Sequence, residues 1–266
     1  MLIEPLEIVI LLMLGLVAGT LGGLLGIGGS IIMIPALVII FGSRSWAEQH
    51  LFQAAAMLVN VAVAIPAALR HRRAGMLHKQ LFRIMLPVTM VFIIVGVLVS
   101  DRIDGAVLQR LFALFLLYVV IVNVRRLLRR PAAPGMESPG VVDLPRGGVC
   151  GAVMGFMAGL LGIGGGGVAV PLIQMVCRLP LRQCIAVSAN VMCLTAGVGA
   201  LTKLSTLHQH DAEWQRAVVI AVILAPSAVL GGFCGAGLTH RLPLKWIRCA
   251  FVVVLLITAG KMGGVF

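Results

Sequence analysis

Charge is scarce in this sequence. Of 266 residues, 21 are Lys or Arg and 9 are Asp or Glu, 11% in all, where a soluble domain of this size needs about a quarter. Apolar residues make up 60% and mean hydropathy is +1.09, so no water-soluble fold fits. At roughly 20 residues per spanning helix and with short loops, the chain accommodates up to about nine or ten crossings. Alternation of apolar and polar residues over about ten positions is also missing, which excludes an outer-membrane barrel and leaves helices as the spans. Acidic residues are scarcer than basic ones, and the net charge is +12. Yet the Lys and Arg fall in short clusters between apolar runs rather than on a hydrated face. That is the pattern of cytoplasmic membrane loops, and no nucleic-acid partner is expected.

Other absences narrow the chemistry. The six cysteines, Cys150, Cys177, Cys184, Cys193, Cys234 and Cys249, form no C-x-x-C pair and lie in or at the ends of apolar segments, where they read as buried free thiols. Neither an H-E-x-x-H pair nor an intramembrane aspartate pair is present, so an intramembrane enzyme is the weakest reading. No catalytic residue, metal or cofactor is assigned. Glu4 and Glu7 stand where a signal peptide carries Lys or Arg, and no small-residue cleavage site follows the first run; that segment is expected to be kept.

What is there comes in apolar runs, at about 6 to 41, 51 to 69, 81 to 100, 105 to 124, 148 to 177, 184 to 202, 217 to 238 and 247 to 263. Two are too long for one helix, and each is broken by glycines: Gly22-Gly23-Leu24-Leu25-Gly26-Ile27-Gly28-Gly29-Ser30 and Gly159-Leu160-Leu161-Gly162-Ile163-Gly164-Gly165-Gly166-Gly167. Each reads as two short segments joined by an unwound turn. A shift of 136 residues lays Gly15, Gly19 and Gly23 on Gly151, Gly155 and Gly159, Leu24 to Gly29 on Leu160 to Gly165, and Pro35 on Pro171. Two homologous halves follow: a first repeat over 1–124, a proline-containing cytoplasmic linker over 125–147 and a second repeat over 148–266.

Basic residues orient these segments. Placing Arg70, Arg72, Arg73, Lys79 and Arg83 inside also puts Arg125, Arg126, Arg129, Arg130, Arg146, Arg178, Arg182, Arg241, Lys245 and Arg248 inside, 15 of the 21. Five segments per half is an odd number, so the two repeats are expected to be inverted. Each holds a glycine-broken helical hairpin plus about three spanning helices, an all-α transporter architecture.

An unwound glycine run in lipid leaves backbone groups free at several kcal/mol each, and is tolerated only facing protein or a polar cavity. The short helix after each run aims its first N–H groups and positive dipole end at the break, which suits an anion. Gly28, Gly29, Ser30 and Gly164, Gly165, Gly166 and Gly167 are therefore the candidate backbone ligands, with packing as the competing role. Gly15, Gly19, Gly23 and their counterparts read as small-xxx-small packing faces. Gly162 to Gly167 also matches G-x-G-x-x-G, but no acidic residue follows until Asp211, which argues against a dinucleotide site. Asn60, Asn190 and Ser188 lie within apolar runs; the two asparagines occupy equivalent segments and could donate amide hydrogens to an anion, or simply bridge helices. No Asp or Glu lies well inside any run and every His maps to a loop or segment end, which argues against tight proton coupling. His208-Gln209-His210-Asp211 reads as a solvated loop rather than a metal site.

The doubled G-x-x-x-G-x-x-x-G-L-L-G-I-G-G motif at 15–29 and 151–165, each followed by proline, resembles the sulfite exporter TauE/SafE family of membrane permeases. So does Arg70-His71-Arg72-Arg73-Ala74-Gly75. The resemblance implies movement of sulfite, sulfoacetate or another organosulfonate, usually outward, across a bacterial inner membrane. Many relatives carry a Gly-Thr-Ser-like triplet early in the third segment; this chain has Ala54-Ala55-Ala56 and Ala186-Val187-Ser188 there, so the first half brings no hydroxyl to that place. The expected function is a secondary permease for a small sulfur-containing anion in the lipid bilayer, able to form a homodimer. Export needs no coupling ion, because each outgoing negative charge gains about 2.3 kcal/mol per 100 mV. The competing reading is a non-transporting assembly subunit or chaperone that uses the same small-residue faces.

Overall fold

A computed structural model of the chain describes residues 4–25, 28–42, 48–128, 141–210 and 213–238, with 252–253, 255–256 and 259–260. The described residues are helical throughout, without a strand: α1 (Pro5–Leu25), α2 (Ser30–Phe41), α3 (Gln49–Arg73), α4 (Lys79–Ser100), α5 (Gly105–Leu128), α6 (Leu144–Leu161), α7 (Gly166–Cys177), α8 (Leu181–Thr206) and α9 (Trp214–Leu238). Helix is the local solution because each span can bond its own backbone in a solvent that offers no partners. Seven of them, α1, α3, α4, α5, α6, α8 and α9, are long and apolar enough to cross a membrane. Large apolar side chains such as Leu6, Leu114, Leu201, Val222 and Phe233 face outward from them, a surface suited to lipid and not to water.

Both long apolar runs break at the expected glycines, but not into two equal pieces. Within the first, α1 has 21 residues and α2 has 12; within the second, α6 has 18 and α7 has 12. A 12-residue helix rises about 18 Å against a hydrocarbon core of about 30 Å. Each run is therefore one span-length limb followed by a short one. The second run folds back on itself as a hairpin: Val141 N–H, ahead of α6, donates to Cys177 O at the end of α7, 3.0 Å away. Helix α5 extends to Leu128 and α6 begins at Leu144, both within the stretch read as the linker, of which residues 129–140 lie outside the described ones. Arg241, Lys245 and Arg248, used to orient the last segments, lie outside them too.

The helices pack crosswise. Helix α1 lies on α9 as α6 lies on α4; α2 contacts α1 and α3 as α7 contacts α6 and α8; and α3 packs on α8 at the centre. These two central helices are the most buried of the seven. Glycine makes the closest contacts possible. A Cβ on Gly19 would overlap the Ala228 carbonyl of α9, and one on Gly15 the Ser227 hydroxyl. On the other pair, Gly151, Gly155 and Gly159 bring α6 against the carbonyls of Met85, Thr89 and Ile93 in α4. The four-residue glycine spacing thus serves backbone-to-backbone packing inside the chain; the side-chain position of Gly23 lies outside the described residues. Cys150, Cys177 and Cys184 are buried free thiols as expected, whereas Cys234 is exposed on α9.

Gly159→Val drives its side chain into the Ile93 carbonyl, and overpacking of this kind costs about 1–3 kcal/mol. Gly148→Ala, eleven residues earlier on α6 with nothing within 4 Å of its added Cβ, is the neutral control. Thermal unfolding of the two variants in detergent is expected to show a clear fall for the first and none for the second.

Candidate substrate site

The second break, Gly162 to Gly165, is backbone that only glycine adopts easily. Gly162, Gly164 and Gly165 have φ of 74°, 67° and 81°, the left-handed region that a Cβ disfavours. The stretch descends along α3. A Cβ on Gly162 would lie 2.8 Å from Gln53 Cβ, and one on Gly164 would lie 2.7 Å from Asn60 Nδ2. Gln53 and Asn60 are seven residues apart on α3, about 10 Å, so the unwound backbone runs inward over the middle of the bundle. There α7 begins: Gly165 caps it, accepting from Val168 N–H and Ala169 N–H at 3.2 and 2.9 Å. Gly166 and Gly167 are its first two residues, both buried, and their N–H groups precede the first intrahelical bond.

The carbonyls released by this break are taken up by the first half. Ser30 Oγ, at the start of α2 and fully buried, donates to Ile163 O at 2.8 Å. Gln53 Nε2 donates to Leu160 O at 3.2 Å. The two broken regions are therefore joined, with Ser30 as the link. Gly29 is buried and its carbonyl accepts from Ile32 and Met33, both at 3.0 Å; Gly28 has φ 88° and open space around it. Gly26 and Ile27 lie outside the described residues.

Among the expected side chains, Asn60 has the arrangement a ligand would need. It is 1% exposed, sits against Gly164, and its Nδ2 has no partner within the protein. A buried amide donor left unpaired costs free energy and calls for an occupant. Asn190 differs from its counterpart: its Nδ2 donates to Ala186 O at 2.8 Å, one turn back in α8. Ser188 is buried on the same helix. From α8 the residue brought against Gly164 is Met192, whose sulfur would lie 3.1 Å from an added Cβ. The turn thus gathers Gly164, Gly165, Asn60 and, through Ile163, Ser30, while the Asn190 amide is partly occupied by its own helix. No group of three metal-ligating side chains occurs among the described residues; His210 and Asp211, weighed as metal ligands, have side chains outside them.

Sequence reasoning missed a second polar cluster. Lys203, counted with the outward loops, is fully buried in α8, and Asp101, just after α4, has a side chain 4% exposed. Lys203 Nζ lies 2.5 Å from Asp101 Oδ1, 2.8 Å from His50 Nδ1 and 3.2 Å from Ser100 Oγ. Ser100 Oγ also donates to Gln53 Oε1 at 3.2 Å. His50, read as a segment-end residue, is 1% exposed in the first turn of α3. The statement that no carboxylate lies inside a span holds for sequence position and fails for burial. A signal was available: Met192, Ala196, Gly199 and Lys203 form one buried stripe on α8 at three- and four-residue spacing, so a cation on it points inward.

The family model described as sulfite exporter TauE/SafE matches residues 11–262. The probable membrane transporter protein MamO of Paramagnetospirillum magneticum is 27% identical over 87% of this chain and 40% of its own length. MJ0441 of Methanocaldococcus jannaschii, a probable membrane transporter protein, is 28% identical over 74% of this chain and 72% of its own. YunE of Bacillus subtilis, described in the same words, is 25% identical over 88% of this chain and 89% of its own. The chain thus spans less than half the length of the MamO proteins it matches. No solved structure matches it. With that match over nearly its whole length and seven span-length apolar helices, the chain belongs to the sulfite exporter TauE/SafE family of multi-pass membrane proteins.

Proposed function

We propose that this chain is a secondary permease, not an enzyme, that exports a small sulfur oxyanion, sulfite or an organosulfonate, across the cytoplasmic membrane. The observation that carries the reading is the unpartnered Asn60 amide set against the left-handed Gly164 where α7 begins. An anion there would receive the Asn60 hydrogens and the free N–H groups of Gly166 and Gly167 together with the dipole of α7. Glycine lets it approach the backbone without a Cβ between. Ser30 and the Gly28–Gly29 turn would close the site from the first half; Ser188 and Asn190 would contribute from α8. The inverted relation of the two repeats, taken from the count of basic residues, suits the α6–α7 hairpin, whose ends meet on the side carrying Arg146 and Arg178. That relation would bring two opposed hairpins to one site near mid-bilayer.

The reading as a non-transporting subunit loses its main support in the packing. The small-residue faces it would offer a partner are covered by α9 and α4 of the chain itself. Such a homodimer as the protein forms would use other surfaces.

Purified protein in liposomes is the direct test. Gly164→Leu is expected to abolish labelled sulfite efflux while the protein still inserts; efflux that survives removes the glycine turn from the site. Asn60→Leu deletes a hydrogen bond to an anion, about 1.5 kcal/mol or roughly tenfold in apparent affinity, without touching α7. In detergent, thermal shifts with sulfite, sulfoacetate, taurine, sulfate and acetate are expected to show stabilisation by a sulfur oxyanion. Stabilisation by acetate alone overturns the substrate class.

A further inference from the structure

The polar groups on α3 continue outward past the glycine turn. Gln49, Gln53 and Asn60 recur at spacings of four and seven residues, so they form one stripe on a single face of the helix. All three are buried, at 3%, 0% and 1% exposure, and Ala56 between them is buried too. The unwound turn lies along this stripe, with Gly162 against Gln53 and Gly164 against Asn60. Its members are not equally occupied. Gln53 is spent at both ends, since Nε2 donates to Leu160 O and Oε1 accepts from Ser100 Oγ. Gln49 has neither amide atom paired, although both are shut off from solvent. By the distribution of basic residues it stands at the outer end of α3, about 16 Å from Asn60.

Beside Gln49 stands the start of another helix. Its Cβ lies 3.7 Å from where a Cβ on Gly105 would be, and Gly105 opens the 24-residue α5. The first backbone bond there runs from Leu108 N–H to Asp104 O at 2.9 Å. The N–H groups of Gly105, Ala106 and Val107 precede it and carry the positive end of the helix dipole. Because residue 105 is glycine, no side chain intervenes between them and Gln49. An oxyanion at this place is offered hydrogens by Gln49 Nε2 and by α5. The Gln49 oxygen, in turn, needs a hydrogen from whatever binds. A buried amide with donor and acceptor both unspent is complementary to a ligand that accepts and also donates.

We propose that Gln49 is a specificity contact on the outward side of the glycine turn, and that it selects anions carrying a hydrogen of their own: hydrogensulfite, or a sulfonate with a hydroxyl group. The inference rests on the permease reading and narrows the substrate class of that path. One oxygen of the anion takes hydrogens from Gln49 Nε2 and from the start of α5, while the ligand's O–H donates to Gln49 Oε1. A site built to bond a ligand's hydroxyl rejects the analogue that lacks it, because its own acceptor then stays buried and unpaired. The charges at this end do not trap the anion. Glu48 is half-buried just before Gln49, and Arg102 and Asp104 are exposed in the turn before α5. Two carboxylates against one guanidinium at the mouth keep the hold loose, as release to the outside requires.

The test uses the full chain in liposomes and two sulfonates of nearly equal size, isethionate, which has a hydroxyl, and ethanesulfonate, which has none. Wild-type kcat/KM for efflux is expected to be about tenfold higher for isethionate. Gln49→Met keeps the length of the side chain and removes both polar atoms. It is expected to bring the two rates together by slowing isethionate and sparing ethanesulfonate, whereas a residue that only holds α3 against α5 would slow both. Should that variant fail to insert, Gln49→Ala is expected to show the same loss of preference. Asn60→Leu should weaken both sulfonates alike and keep the ratio. Equal wild-type rates, or a preference that survives loss of the Gln49 amide, overturns the assignment and leaves the permease standing. Efflux of neither sulfonate overturns it as well, and if sulfite is not moved either, the permease falls with it.

Discussion

Everything in this bundle depends on where the backbone goes when a helix stops inside a bilayer. Lipid offers no hydrogen bond, so a broken crossing must find its partners within the protein. Here the second half's break is served by the first half. Ser30 takes the carbonyl of Ile163, and Gln53 that of Leu160. These bonds explain why polar side chains stand on helices otherwise built of Ala, Val, Leu and Ile. They also tie the second break to α2 and α3, which supply the donors its carbonyls need. The same geometry leaves Asn60 beside Gly164 with hydrogens still to give, and a place that satisfies carbonyls but leaves donors open is suited to an anion.

Packing around the break follows from glycine used in two distinct ways. At four-residue spacing it thins a helix face so that α1 reaches α9 and α6 reaches α4 backbone to backbone. In a cluster with positive φ it unwinds the chain. The first use builds two rigid walls around the α3–α8 pair; the second opens a turn against it. Those walls hold the turn in place, with Met154 and Ala158 of α6 lying directly against Gly165.

Two levels of α3 divide the polar chemistry among the described residues. At its middle, neutral amide groups face a glycine turn. Toward its first residues, an ammonium, a carboxylate and an imidazole are packed together out of water. Burial of an ion pair offers little net stability by itself and a steep cost when one partner is removed.

Much was already legible in the residues, because a bilayer imposes simple rules. Among the described residues, run length and hydropathy located the helices to within a few residues, and clustered glycines located where the two long runs break. Asn60 was legible as well, being the polar exception in an apolar run. The unequal division of each broken run was not, since glycine marks where a helix stops and not how far each limb reaches. Nor was the difference between Asn60 and Asn190, which depends on which way each amide turns. The Lys203–Asp101–His50 cluster escaped for the same reason: its members are 50 or more residues apart and each sits near a segment end, where sequence position implies water. Composition and periodicity decide what can enter the membrane and where the chain must bend. Which end residues are sealed from solvent, and which donors are left unspent, depends on contacts between distant helices and was decided only by the tertiary structure.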